Sequence, residues 1–542
     1  MINILALVPP SLPAITALVR SGAVERGGEL FAAGGYGARA ADPAALAVKG
    51  RLLKARGLTA AGATRRALLA EAAEAYGAAD ALSPAPYLAI NAATLHLLAG
   101  EPDTASDGAR AVLALLDAPD TPADTPYFLA ATRAEALLLL GDRTRAERAM
   151  AAAVRHDPDG WDDRACTLAQ LRLIAAAQGQ DSAWLDAYAP PRSLHFAGHM
   201  GFASGGASEA RLATALGEFL ADTRPGFAWG ALAAGADLVI AEHLLALGCA
   251  VHAVLPCPPV QFEAQSVAPA GADWAARFRA ALGRCASLRV AGPTASSVHD
   301  PLATAFAGEL AIGGAVLNAA RYGSAAAQLI VCDEAGGGTN TARQAELWRA
   351  GLGDQHRITI PRDVQVEAMF PPEQPDPARQ LVLIAAIGID ELARDTVPGS
   401  TVIASWAASV AAALSDLPAG TVRAAPGLWE LTTPDFASGL AALAAVASAC
   451  RAAGTPQPAI GAHLAICTLL RDPVSGAAVP FGPAPGLTRR LMLHAPSGVT
   501  LVSEALAVTL AARPGGELTS ELYLPDEPDL DGSAHLLRSG DQ

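Results

Sequence analysis

The sequence predicts a multidomain protein: an all-α helical repeat, then a parallel α/β sheet, then an α+β domain. Three textures carry that prediction. Residues 30–188 are rich in Ala and Leu with short Gly, Asp or Pro breaks, as in stacked helices. Residues 190–362 alternate short apolar runs with helical patterns, which implies a parallel sheet covered on both faces. Residues 379–524 mix long buried-type strands, a hairpin and apolar helices. The 542 residues are 52% hydrophobic and 17% charged, ample for several cores and unlike a disordered chain.

In the first part (residues 1–188) two segments superpose. Ala93 and Ala134 each stand seven residues before a glycine, Gly100 and Gly141. Small residues follow five and twelve positions later: Ala105 and Val112, then Ala146 and Ala153, with Pro158 after the second copy. Small side chains at these places let paired helices approach and stack. The pattern resembles the tetratricopeptide repeat, and a looser copy covers residues 44–84 with extra residues between Gly57 and Ala79. A plain helical bundle is the alternative. Nothing here carries chemistry, so the expected role is a docking surface for a protein partner.

In the second part (190–362) an apolar strand at 194–197 runs into Gly198 and His199. A glycine-rich loop (Gly226, Gly230, Gly235) then opens a helix that leads to a strand at 250–255. Further strands are expected at 287–290, 328–332 and 356–360, and helices at 274–282, 301–321 and 342–350. The ligand belongs outside the strand C-termini, where glycines admit phosphate to the backbone amides of helix N-termini. The expected binding residues are Gly198, His199, Gly230, Gly235, Asp237, Gly336, Gly337, Gly338, Thr339 and Arg343, with Arg211 and Arg224 as weaker phosphate contacts. Glu242 and Glu346 are the candidate catalytic carboxylates, although a Glu at such a place is more often a solvated helix residue. His195 and His199 lack a third ligand in a metal-binding pattern, so no metal is expected.

This part resembles the SLOG superfamily of Rossmann-like domains through Gly198, the 230–237 turn with Glu242, and the 336–339 loop. The resemblance implies a nucleotide or nucleotide-derived ligand. In its hydrolytic branch a catalytic glutamate follows the glycine loop, and that place falls here on Ala342.

After a proline-rich linker at 361–377, the third part (379–524) predicts strands at 380–387, 460–469 and 499–502, a hairpin at 421–431, and helices at 400–414, 436–453 and 503–511. Residues 525–542 read as a loose tail. The phrases IGAHLAICTLLRDPVSG, Phe481-Gly482 and GVTLVSE resemble a class III nucleotidyl cyclase, which implies a ferredoxin-like fold. The resemblance places the two metal aspartates at Ala385 and in the acid-free stretch 423–428, and the transition-state Asn and Arg at Thr488 and Met492. Asp390 and Glu430 are off register. A degenerate cyclase domain is implied. Over nearly its full length the chain looks like bacterial proteins that join these three parts.

The formal charge of −15 disfavours nucleic acid as a partner. Seven scattered cysteines suit a reducing compartment, and prolines 9, 10 and 13 interrupt the apolar start, so a cytoplasmic protein with no membrane span is expected. The expected function is nonenzymatic signalling by a homo-oligomer that binds a nucleotide-like ligand and needs no other cofactor. The alternatives are a nucleotide-processing enzyme of the N-glycosidic hydrolase type and a purely structural adaptor.

Overall fold

The computed structural model describes residues 11–119, 124–293, 296–334, 338–364, 376–389, 399–425, 427–474, 476–513, 515–530 and 532–539. Contacts divide the chain into two units, 1–190 and 191–542.

The first unit holds nine described helices: α1 (Leu12–Arg20), α2 (Val24–Ala33), α3 (Pro43–Thr59), α4 (Gly62–Leu82), α5 (Pro86–Ala99), α6 (Pro102–Leu116), α7 (Pro126–Leu139), α8 (Arg143–His156) and α9 (Trp161–Ala177). Successive helices from α3 to α8 pack as pairs. The repeat positions are where they meet: Ala93, Ala105, Val112, Ala134, Ala146 and Ala153 are all buried. Gly100 and Gly141 take positive φ (93° and 77°) and end α5 and the turn after α7, a conformation that disfavours a Cβ. The looser copy is explained by length, since α3 and α4 have 17 and 21 residues against 14 and 15 in α5 and α6. Helix α9 leans on α5 and α7. Its Gln170 meets Lys54 of α3 at 3.2 Å and Glu135 of α7 at 3.2 Å. Burial lowers the Lys54 pKa and raises that of Glu135, partly offset by their mutual attraction.

The second unit contains two sheets. The first is all parallel, in the order β4-β3-β2-β1-β5-β6. Its strands and helices are β1 (Arg192–Gly198), α10 (Ala207–Thr223), β2 (Pro225–Gly230), α11 (Ala236–Ala246), β3 (Ala250–Leu255), the short α12 (Pro259–Phe262), α13 (Ala272–Leu282), β4 (Ser287–Val290), α14 (Pro301–Tyr322), β5 (Ala326–Cys332), α15 (Thr339–Arg349) and β6 (Asp354–Thr359).

One correction concerns β2, which was expected as a glycine-rich loop. Phe227 and Trp229 suit a pleated strand, and its glycines answer to packing: a Cβ on Gly226 would lie 2.2 Å from Pro191, and one on Gly230 2.5 Å from Phe196. Helix α15 begins three residues earlier than expected, with Gly338 as its N-cap.

The second sheet runs β13-β14-β12-β10-β7-β9-β8, with β11 against β10. It comprises β7 (Arg379–Ile389), α16 (Ser400–Ala413), β8 (Val422–Ala425), β9 (Leu428–Thr433), α17 (Phe436–Ala452), β10 (Pro458–Arg471), β11 (Ala478–Phe481), α18 (Ala484–His494), β12 (Val499–Ser503), α19 (Glu504–Ala511), β13 (Leu518–Glu527) and β14 (Gly532–Ser539). Over its described residues, the stretch expected as a loose tail is therefore ordered instead, and 540–542 lie outside them. Residues 532–539 pair with both β12 and β13, burying Ala534 and Leu536, and the acidic turn between the strands hid the alternation.

Helix α14 joins the sheets. It is long and apolar enough to cross a membrane, yet 67% of its apolar window is buried. It packs on β1, β2 and β3 and on α19, so both sides face protein, and one apolar cluster runs from Phe306 and Leu310 through Leu506 and Val508 to Ile460. Small residues set the approach: a Cβ on Gly313 would fall 1.7 Å from the Val508 carbonyl oxygen, and one on Gly314 2.7 Å from Trp229.

Candidate functional site

In the parallel sheet the order reverses between β1 and β5: the chain leaves β1 towards β2 and leaves β5 towards β6. Loops that diverge there leave a crevice outside the strand C-termini. Two helix N-termini meet at its floor, both on Gly198. The Gly198 N–H donates to Asp237 Oδ1 of α11 at 2.6 Å, and Thr341 Oγ1 of α15 donates to the Gly198 carbonyl at 3.2 Å. A Cβ on Gly198 would lie 2.4 Å from that of Ala236, so only glycine lets α11 come this close. Gly235, the α11 N-cap, has φ 116° and passes 3.0 Å (by its ideal Cβ) from the His199 carbonyl.

Asp237 is buried in this floor. Burial pushes its carboxyl up to about 7, against the pull of hydrogen bonds from the Gly198 and Ala233 amides. Gly338 caps α15 with open space around its Cβ position, and Thr339 is exposed beside it. Gly336 and Gly337 lie outside the described residues.

Other expected site residues are elsewhere. His199 is buried, with its ring nitrogens 2.8 Å from the Met200 carbonyl and 2.9 Å from that of Ile360. It ties the loop after β1 to the end of β6 through both ring nitrogens. Gly230 is filled against Phe196, as above. Arg343 turns to Glu309 of α14 at 2.9 Å. Glu242 is held by Arg277 of α13 at 2.9 and 2.5 Å, and Glu209 of α10 shares that guanidinium; this raises the Arg277 pKa. Glu242 is thus engaged in an ion pair with Arg277. Glu346 is exposed on α15. Arg224 stands before the first residue of β2, at the opposite end of the sheet. His195 is fully buried between Gln344 (2.9 Å) and Gln328 (3.0 Å), and burial lowers its pKa to about 3.

Arg362 and Asp333 were missed. Arg362 Nε donates to Asp333 Oδ2 at 2.5 Å just past β5, and the guanidinium also reaches the Met200 carbonyl at 3.3 Å. The signal was available, because both follow strand C-termini. A cleft of about 590 Å³ opens at the other end of the sheet, lined by Arg192, Glu218, Phe219, Asp222, Asp354 and His356. Its three carboxylates suit phosphate poorly.

In the second sheet Ala385 is fully buried, opposite Leu431 and Ala462, and faces the apolar core. Asp390 lies outside the described residues. Glu430 is buried between Arg423 and Arg489. Burial opposes its charge, but the two arginine hydrogen bonds outweigh it and hold the pKa below the ordinary value.

No family model matches the chain, and no curated protein matches it. Among solved structures the chain is similar to the adenylyl cyclase CyaB from P. aeruginosa, at 10% identity over 30% of this chain and 95% of that one, with a TM-score of 0.25. An adenylate cyclase from Trypanosoma brucei in its monomeric state gives 12% identity over 31% and 93%, with a TM-score of 0.24. The guanylyl cyclase Cya2 gives 13% over 29% and 91%, also at 0.24. Values this low transfer no residue role.

Proposed function

We propose that the protein is a nonenzymatic signalling protein of the cytoplasm that binds a nucleotide-like phosphorylated ligand in the β1/β5 crevice. The observation that supports this most is the meeting of two helix N-termini, α11 and α15, on Gly198 at the point where strand order reverses. A SLOG-type sensor fits that arrangement. The pairing of Glu242 with Arg277 and the exposure of Glu346 favour binding over N-glycosidic cleavage. In the second sheet, Ala385 and the Arg-Glu-Arg cluster around Glu430 favour a pseudo-cyclase.

Asp237 gives the binding site a pH dependence. Its carboxyl loses a proton as pH rises through about 7, and the charge then opposes an anion. Affinity for a phosphodiester nucleotide, whose own charge is constant, should rise about tenfold from pH 8 to pH 6. Asp237→Asn should bind at least as tightly and lose the dependence. Titration calorimetry at both pH values checks this; an equal slope in the variant contradicts it.

The homo-oligomer is proposed to use the β10–β11 arm, where Leu470, Val474 and Phe481 are 47%, 93% and 65% exposed. Val474→Asp with Phe481→Asp should leave the fold intact and reduce the mass measured by light scattering to that of one chain. An oligomer of unchanged mass removes the arm from the interface.

A further inference from the structure

Glu309 lies on α14 with its side chain only 5% exposed, and it holds two arginines from different parts of the unit. Arg343 of α15 donates to one carboxylate oxygen at 2.9 Å, and Arg513, just past α19, donates to the other at 2.8 Å. Arg513 also stacks over Phe436 of α17, 4.8 Å from the ring centroid. One turn along α14, Ile312 packs with Trp348 of α15 and Ala512 at the end of α19. At the next residue Gly313 admits the α19 backbone. Within two turns of one helix, the helix that starts at the crevice and the helix that seats the second sheet share a carboxylate and an apolar contact.

We propose that Glu309 is a positioning residue that couples α15 to α19, so that a change at the crevice end of α15 alters how firmly the second sheet is seated. One carboxylate sets a single negative charge between two guanidiniums, each on its own oxygen. Whatever draws Arg343 away leaves Glu309 to Arg513 and shifts the balance between the two contacts. The coupling stands without a ligand; its use in signalling rests on the proposed binding site.

Hydrogen–deuterium exchange of the full chain tests it in the absence of ligand. Arg343→Ala should slow exchange in α19 by about fivefold, because Glu309 is left to Arg513 alone, while α5 and α7 stay at wild-type rates. Arg343→Lys, which keeps the charge, should bring exchange most of the way back to the wild-type rate. Glu309→Gln, which removes the charge that holds both arginines, should instead speed α19 exchange, and adding Arg343→Ala to it should do nothing further. If Glu309→Gln fails to fold, the two Arg343 variants carry the test. Unchanged α19 exchange in Arg343→Ala overturns the proposal. So does an equal rise throughout both sheets, which would mark general destabilisation. Neither outcome bears on whether the crevice binds phosphate.

Discussion

Gly313→Ala is expected to destabilise the second unit by about 3 kcal/mol or more and to separate the unfolding of its two sheets. The added Cβ meets the Val508 oxygen at 1.7 Å and its carbonyl carbon at 2.5 Å, both backbone atoms of a helix. No rotamer relieves that clash, so α19 must move off α14. The part of the cluster between the two helices would then open, exposing side chains such as Leu310 and Leu506 that belong to it. Gly217→Ala in α10 is the control: it has open space around it and should stabilise by about 1 kcal/mol through helix propensity. Calorimetry reads both. A single unfolding transition at wild-type temperature in Gly313→Ala would contradict this packing.

The second large effect is loss of stability in mild acid. Burial lowers the pKa of His195 to about 3 and of His252, His463 and His535 to about 4, from 6.5. Glu504 partly opposes this at His252 and His535, and Arg289 reinforces it at all three of the latter group. Arg289 and Glu504 form an ion pair.

The sign follows from proton uptake. Below pH 6.5 the unfolded chain protonates these imidazoles and the native chain does not, so stability falls until about pH 4 and then levels. Each histidine contributes about 3 kcal/mol of loss at pH 4. Asp237 acts oppositely, because its folded pKa of about 7 lies above its ordinary 3.8. It offsets about one histidine. The remainder is comparable to a whole domain's stability, so urea midpoints for the second unit should collapse between pH 6.5 and 4.5. A flat or rising midpoint over that window would contradict the burial of these rings.

Local features of the fold were legible in the sequence. Ala93, Ala134 and their partners mark helix contacts because small size at fixed spacing has one common cause, close approach of helices. The strand run at 194–197 and the glycine after it were readable for the same kind of reason. Partners distant in sequence were not. Arg343 and Glu242 looked like crevice residues because the pattern cannot show Glu309 and Arg277 waiting 34 and 35 positions away. Glycine was the other source of error. Gly226 and Gly230 serve packing against Pro191 and Phe196, whereas Gly198 and Gly235 bring backbones together at the crevice. In the last strands an acidic turn outweighed the alternation of Ala534 and Leu536.

The N-terminus of α15 is proposed to receive a phosphate, and Gly338→Asp puts that to the sharpest test. The position is an N-cap with extended backbone (φ −95°) and nothing near its Cβ, so aspartate should keep the fold and support the helix. Its carboxylate would occupy and repel the anion's place. The measurement is mass spectrometry of small molecules released from purified wild type and variant, with calorimetric titration of nucleoside phosphates into each. An unchanged nucleotide-like ligand is expected on the wild type, with at least a tenfold loss of affinity in the variant. Equal binding by both proteins, no binding by the wild type, or release of free base would contradict it.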